Sequence, residues 1–120
     1  ILKAVRFVQR RIVYLEGTVK SLGILDLLGK RIVFFDGATG TYLQENGLGP
    51  GEFPEYWNIT NSEIIVQMHK GFLNAGSDII LTNTFGANCF KFNTDDFSVE
   101  KIVDAAIKNA KIAISSYHTV

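Results

Sequence analysis

Two short apolar runs limit what this chain can fold into. Residues 31–35 read RIVFF, and residues 78–81 read DIIL. Runs this short, β-branched or aromatic and without polar alternation, are the habit of strands covered on both faces, as in parallel sheets layered between helices. Each run ends abruptly in polar residues, Asp36-Gly37 after the first and Thr82-Asn83-Thr84 after the second. A strand apolar enough to be buried, ending in hydrogen-bonding side chains, implies a wall that opens onto a pocket mouth.

Between and after these runs the pattern is helical. The stretch ILDLLGK reads as a short helix closing near Gly29, and TGTYLQENG as another ending at Gly47, where glycine accepts the left-handed cap conformation. Residues 47–58, GLGPGEFPEYWN, read as an irregular connector, with Trp57 and Tyr56 anchoring it and Glu52 and Glu55 as solvated charges. Thr60 and Glu63 have capping-box spacing for a helix whose buried stripe is Ile65, Met68, Phe72 and Ala75 and whose stop is Gly76. Gly71 inside it costs about 1 kcal/mol against alanine, and close packing on a strand is one reason to keep it. Ser98 is a good N-cap for a last helix with Val99, Val103, Ala106, Ala110, Ala113 and Tyr117 on its inner face.

Strands alternating with helices place the chain in the α/β class, with a parallel sheet covered on both faces. Two parallel strands neither make a stable covered sheet nor close a barrel, so the architecture demands strands beyond these two. The lone methionine, Met68, points the same way, and the chain reads as a piece of something longer. Residues 1–22 form an N-terminal extension of ambiguous structure. Ile1, Val5, Val8, Ile12 and Leu15 recur at helical spacing among basic residues, whereas RIVYLEG also reads as a strand; a targeting peptide is the less economical alternative.

Charge excludes some partners. Lys and Arg total 12 and so do Asp and Glu, which argues against nucleic acid or an anionic membrane surface. The balance is uneven: residues 1–30 hold six basic against two acidic residues, and the rest six against ten. No apolar run approaches the ~20 residues of a membrane span. Cys89 is the single cysteine, so this segment can build neither an internal disulfide nor a cysteine zinc site, and a reducing, cytoplasmic setting is expected.

In parallel α/β folds ligands bind beyond the carboxyl ends of the strands, which puts both polar clusters on one edge. Asp36 follows Phe35 directly and can pair with an ammonium group at an apolar lip; an aspartate there serves equally as a helix cap. Gly37 and Gly40 frame a G-x-x-G turn that could admit an anion, although a tight strand-to-helix turn is the plainer account. Thr82, Asn83, Thr84 and the aromatic Phe85 suit a pocket lining, while Thr is also common in strands and Asn in turns. His69, flanked by Ile65 and Phe72, reads as a partly buried packing residue, His118 as solvated, and Cys89 as a small hydrophobe with no histidine to activate it.

Three motifs in order, DGATGTYLQENGL, PEYWN and AGSDIILTNTFGAN, resemble the start of the homocysteine S-methyltransferase barrel, and most of all the branch of the cobalamin-dependent methionine synthases. The resemblance runs from about Leu25 to about Tyr117. It implies the N-terminal portion of a (β/α)8 TIM barrel, about two of eight strand-helix units, spanning residues 23–120. It further implies a homocysteine S-methyltransferase with zinc held by three cysteine thiolates on later strands, two in a Gly-Gly-Cys-Cys pair and one that precedes the pair. Zinc would keep the substrate thiol as a thiolate, methylcobalamin would donate the methyl group, and cobalamin-binding and folate-binding modules would be the partners. By position, Asp36 matches the aspartate that holds the substrate amino group and Gly37 the glycine that approaches it. Thr82, Asn83 and Thr84 match the pocket lining, and Phe85 its aromatic wall.

The departures are Thr39, where these proteins often carry Met, and the absence of all three zinc cysteines, none of which Cys89 matches. No catalytic or metal-binding residue is therefore expected in this segment. A degenerate, non-catalytic barrel remnant and a betaine- or S-methylmethionine-dependent enzyme are the alternatives; Asn83 and Gly86 favour the methionine synthase branch over the betaine branch. The isolated 120-residue chain is expected to form no methionine from homocysteine in a methyl-transfer assay, and product formation would overturn that expectation.

Overall fold

The computed structural model describes residues 27–117, so the readings of residues 1–22, of the start of the ILDLLGK turn and of His118 lie outside the described residues. In chain order the described helices are α1 (Thr39–Glu45), α2 (Trp57–Thr60), α3 (Ser62–Ala75) and α4 (Val99–Tyr117), with a 3₁₀ turn at Pro54–Tyr56 leading into α2. The connector is thus less irregular than its Gly and Pro content implied. Proline at the first position of the 3₁₀ turn supplies a fixed φ where its missing N–H is no loss.

Helices α3 and α4 make the main core. Val66 and Leu73 of α3 meet Ala110, Ala113 and Ile114 of α4, with Ile80 beneath them. The alanines keep α4 close, as small side chains on a packed face allow. A second cluster joins Leu43 of α1, Trp57 of α2, and Ile65 and Met68 of α3, and Phe72 packs against both. Trp57 therefore anchors the connector as its composition suggested. The expected stripe of α3 needs one correction: Ala75 is exposed, and Val66 and Leu73 are buried in addition to Ile65 and Met68. A helix clamped between two clusters buries a wider arc than a single seam would.

Helix ends follow local chemistry unevenly. Ser98 Oγ accepts the Lys101 N–H at 3.3 Å, as a serine N-cap should. The Thr60–Glu63 capping box does not form, because α3 begins later, behind Asn61. Thr60 instead belongs to α2, and its hydroxyl reaches back to the Tyr56 carbonyl at 3.2 Å. Gly76 ends α3 at φ 108°, a conformation that only glycine adopts without strain. Gly71 is exposed with open space around it, and nothing in the structure explains its place in α3.

The two apolar runs lie side by side in parallel through one bridge, Phe35 to Ile79. Asp78 and Ile79 donate to the Phe34 carbonyl at 2.8 and 3.1 Å, and Asp36 donates to the Ile79 carbonyl at 3.0 Å. Among the described residues the pairing extends no further into a regular ladder. The second run is buried as far as Ile80, with Ile79 and Ile80 at 0% exposure, whereas its last residue Leu81 is 40% exposed. The first is not buried: Ile32, Phe34 and Phe35 are 73, 57 and 55% exposed, because no described element covers the side away from the second run.

The amino end of this pairing is held by charge. Arg31 grips Asp78 with both terminal guanidinium nitrogens, Nη1 to Oδ2 at 2.9 Å and Nη2 to Oδ1 at 2.5 Å. The planar fork matches a carboxylate in this bidentate way. The same Oδ2 accepts the Phe34 N–H at 3.0 Å.

His69 is more deeply buried than expected, at 0% exposure, and neither ring nitrogen has a hydrogen-bond partner among the described residues. Burial lowers its pKa to about 4. The unfolded chain, with an ordinary histidine near 6.5, takes up this proton first, so stability is complete above about pH 6.5 and is lost as pH falls toward 4. Urea titrations across that window should show wild type losing roughly 3 kcal/mol more than a His69→Leu variant. Parallel pH profiles for the two proteins would refute the burial effect.

Candidate functional site

The site is built where the two apolar runs end. Parallel pairing brings Asp36-Gly37 and the segment 82–86 to the same edge. Asp36 Oδ2 accepts the Leu81 N–H at 3.0 Å, so the carboxylate itself extends the backbone pairing by one step. Burial pushes the Asp36 carboxyl above its ordinary value, and the bonds from the Leu81 and Asp36 backbone N–H groups pull it partly back. A cation placed beside it would favour the charged form.

The next turn is strained. Ala38, ahead of α1, sits in the left-handed region at φ 51° and ψ 29°. A Cβ there costs about 1–2 kcal/mol. Gly37 and Gly40 have open space where a Cβ would stand. The G-x-x-G stretch is therefore a strand-to-helix turn whose left-handed position falls on alanine rather than on either glycine.

On the other run, Thr82 and Thr84 face each other with Oγ atoms 2.9 Å apart, and the Thr84 N–H returns to the Thr82 carbonyl at 2.8 Å. Both are part-buried. Asn83 turns the other way. It is 6% exposed, and its Nδ2 donates to the Pro54 carbonyl at 2.8 Å. Its side chain ties this segment to the connector. Phe85 stands fully exposed, clear of Thr82 and Asn83, and forms no wall with them here.

Sequence reasoning missed the base of the site. Glu55, expected as a solvated loop charge, is 4% exposed, and its Oε1 accepts the Gly86 N–H at 2.6 Å. Asn58, one helical turn on, donates from Nδ2 to the Glu55 carbonyl at 2.9 Å and to the Asn83 carbonyl at 2.7 Å. Asn109 of α4 donates to the Asn58 carbonyl at 2.9 Å. The available signal was the Glu-x-x-Asn spacing at 55 and 58, which a helical turn puts on one face. Around this base, Phe53, Tyr56, Phe92 and Phe97 form an aromatic group, and the Lys91 ammonium lies 4.5 Å from the Phe53 ring centre. That is a cation–π distance.

Among the described residues no three His, Cys, Asp or Glu side chains gather where they could hold a metal ion, and Cys89 is exposed rather than packed as a small hydrophobe.

The family model for homocysteine S-methyltransferases matches residues 33–120, which takes in both polar ends, the connector and α1 to α4. The chain belongs to the homocysteine S-methyltransferase family. Within that family, a methionine synthase of Mycobacterium tuberculosis is 33% identical over 96 residues, covering 75% of this chain and 8% of that protein. Homocysteine S-methyltransferase 3 of Zea mays is 28% identical over 96 residues, covering 77% of this chain and 28% of that protein. The chain thus spans a small part of the length of the relatives it matches. No solved structure matches it.

Gly86 is the tightest point of the site. A Cβ built there falls 2.5 Å from Glu55 Oε1 and 2.9 Å from Lys91 Nζ. Lys91 is exposed and can swing away, but Glu55 is enclosed. Gly86→Ala should displace the carboxylate and lose its charged hydrogen bond, lowering stability by about 2 kcal/mol. The expected reading is a lower urea midpoint at unchanged slope; an unchanged midpoint would contradict the close approach.

Proposed function

We propose that the chain forms part of the homocysteine pocket of a cytoplasmic enzyme that methylates the substrate sulfur to give methionine. In this proposal residues 23–120 are the first two of eight strand-helix units of a (β/α)8 barrel. The observation that supports it is the parallel contact of residues 34–36 with 78–81, since Asp36-Gly37 and the Thr82–Thr84 segment follow directly on those two runs. Family membership and a methionine synthase relative support the same reaction class. Among the described residues no helix is long and apolar enough to cross a membrane.

In the proposed reaction the homocysteine sulfur, having released its thiol proton, forms a carbon–sulfur bond to the methyl carbon while the bond from that carbon to its donor breaks, and the demethylated donor leaves with the electron pair. This segment's part is to hold the amino acid. Asp36 spends Oδ2 on the Leu81 N–H, and Oδ1 is the oxygen proposed to take the substrate ammonium. Gly37, open where a side chain would project, lets the backbone approach the substrate. Thr82 and Thr84 offer hydroxyls on the facing side. Holding the sulfur in line with the methyl group is where much of the rate gain of such a transfer arises.

Zinc and methylcobalamin belong to the proposal for the whole protein. The described side chains do not fit a zinc site, so no step is assigned to the metal here. A methionine synthase-type donor is favoured by the mycobacterial relative; the names of the maize relatives, homocysteine S-methyltransferases, specify no donor, so a betaine or S-methylmethionine donor stays as the second reading.

In the full-length protein that carries this segment, Asp36→Asn keeps an acceptor for the Leu81 N–H and removes the charge. The homocysteine KM should rise about tenfold or more, with the methyl-donor KM unchanged. Equal homocysteine KM values for the two proteins would reject Asp36 as the ammonium partner.

A further inference from the structure

Glu55 is a charged side chain that folding has taken out of water with one clear task. It is 4% exposed, in the 3₁₀ turn of the connector, and its Oε1 accepts the Gly86 N–H across 31 residues of chain. Its Oε2 is buried without a hydrogen-bond partner among the described residues, as is Asn58 Oδ1. Enclosing a carboxylate this incompletely satisfied is costly, and a neutral residue would serve simple packing better. The bond it makes is charge-assisted and short, the strong kind.

The other bonds of the connector converge on the same segment. Asn58 Nδ2 holds the Asn83 carbonyl, and Asn83 Nδ2 holds the Pro54 carbonyl. Between these anchor points, Asn83 and Gly86, lie Thr84 and Phe85. The stretch from Thr82 to Gly86 is therefore gripped from below at two places, while the threonine hydroxyls remain at the edge. Gly86 is the residue through which the grip works, since any Cβ there would collide with Glu55 Oε1.

We propose that Glu55 is a positioning residue: by holding the Gly86 amide it fixes the conformation of residues 82–86 and so the placement of Thr82 and Thr84 toward substrate. This rests on the homocysteine reading for its functional consequence, but the positioning itself does not. Glu55 touches no substrate in this account; it acts through the backbone of the loop.

The test compares Glu55→Gln and Glu55→Ala with wild type in the full-length protein, by residue-resolved amide exchange and by homocysteine KM. Gln keeps an oxygen for the Gly86 N–H, whereas Ala keeps none. In Glu55→Ala, amides 84–86 should exchange about tenfold faster or more, while core amides of α4 such as Ile102 and Ala110 keep their wild-type rates. Glu55→Gln should restore most of the protection. The homocysteine KM should rise about tenfold in Glu55→Ala, and less in Glu55→Gln, with kcat changed less than KM. Uniform acceleration of loop and core amides would reduce Glu55 to a stability residue and overturn the proposal, as would wild-type exchange at 84–86 in Glu55→Ala. Local loop release with no homocysteine turnover by wild type would leave the positioning standing and remove the homocysteine reading instead.

Discussion

The contact between residues 34–36 and 78–81 depends on two carboxylates. A pair of short parallel segments has little stability of its own, since it offers few hydrogen bonds against a large ordering cost. Asp78 strengthens the amino end, where it takes both nitrogens of Arg31 and the Phe34 N–H. Asp36 extends the carboxyl end, where its side chain accepts the Leu81 N–H in place of a further backbone partner. Between them lies the single parallel bridge found among the described residues. That register decides which side chains share a face, because a shift by one residue would turn them to the opposite one.

Beneath this edge the molecule uses polar groups rather than apolar ones to fix the loop. Glu55, Asn58, Asn83 and Asn109 are all buried, and each makes at least one bond to backbone. Such groups add little net stability, yet they are demanding about geometry, because a bond displaced by an ångström leaves a buried dipole unpaired. An apolar base would hold the same segment with less definition. The apolar work is done elsewhere, by the α3–α4 packing over Ile80 and by the cluster around Trp57. The two kinds of interaction meet at α2, where Trp57 enters the apolar cluster and Asn58, its neighbour, enters the polar network.

Much of the helical framework was legible in advance, and the errors have physical causes. The alanine face of α4, the Ser98 cap and the Gly76 stop depend on residues within one or two turns of one another, and all three appear as read. The capping box at Thr60 failed because Thr60 is drawn into α2, whose existence rests on burying Trp57 against Leu43 and Met68. The burial of RIVFF was overestimated because its composition describes the surroundings such a strand favours, and no described element supplies them on one side. Of the candidate site, Asp36, Gly37, Thr82 and Thr84 lie at one edge, while Asn83 is turned inward and Phe85 outward.

The sequence by itself determined three of the four described helices and which two runs are apolar, since these are written in local spacing, and its motifs carried the resemblance to the family; α2 and the 3₁₀ turn before it began inside the stretch read as an irregular connector. Tertiary structure alone decided which polar residues face the edge and which support it. Asp36, Asn83 and Glu55 are all short-range ambiguities, each able to cap, turn or bind. Their hydrogen-bond partners became definite only when chain segments between 25 and 45 residues apart met.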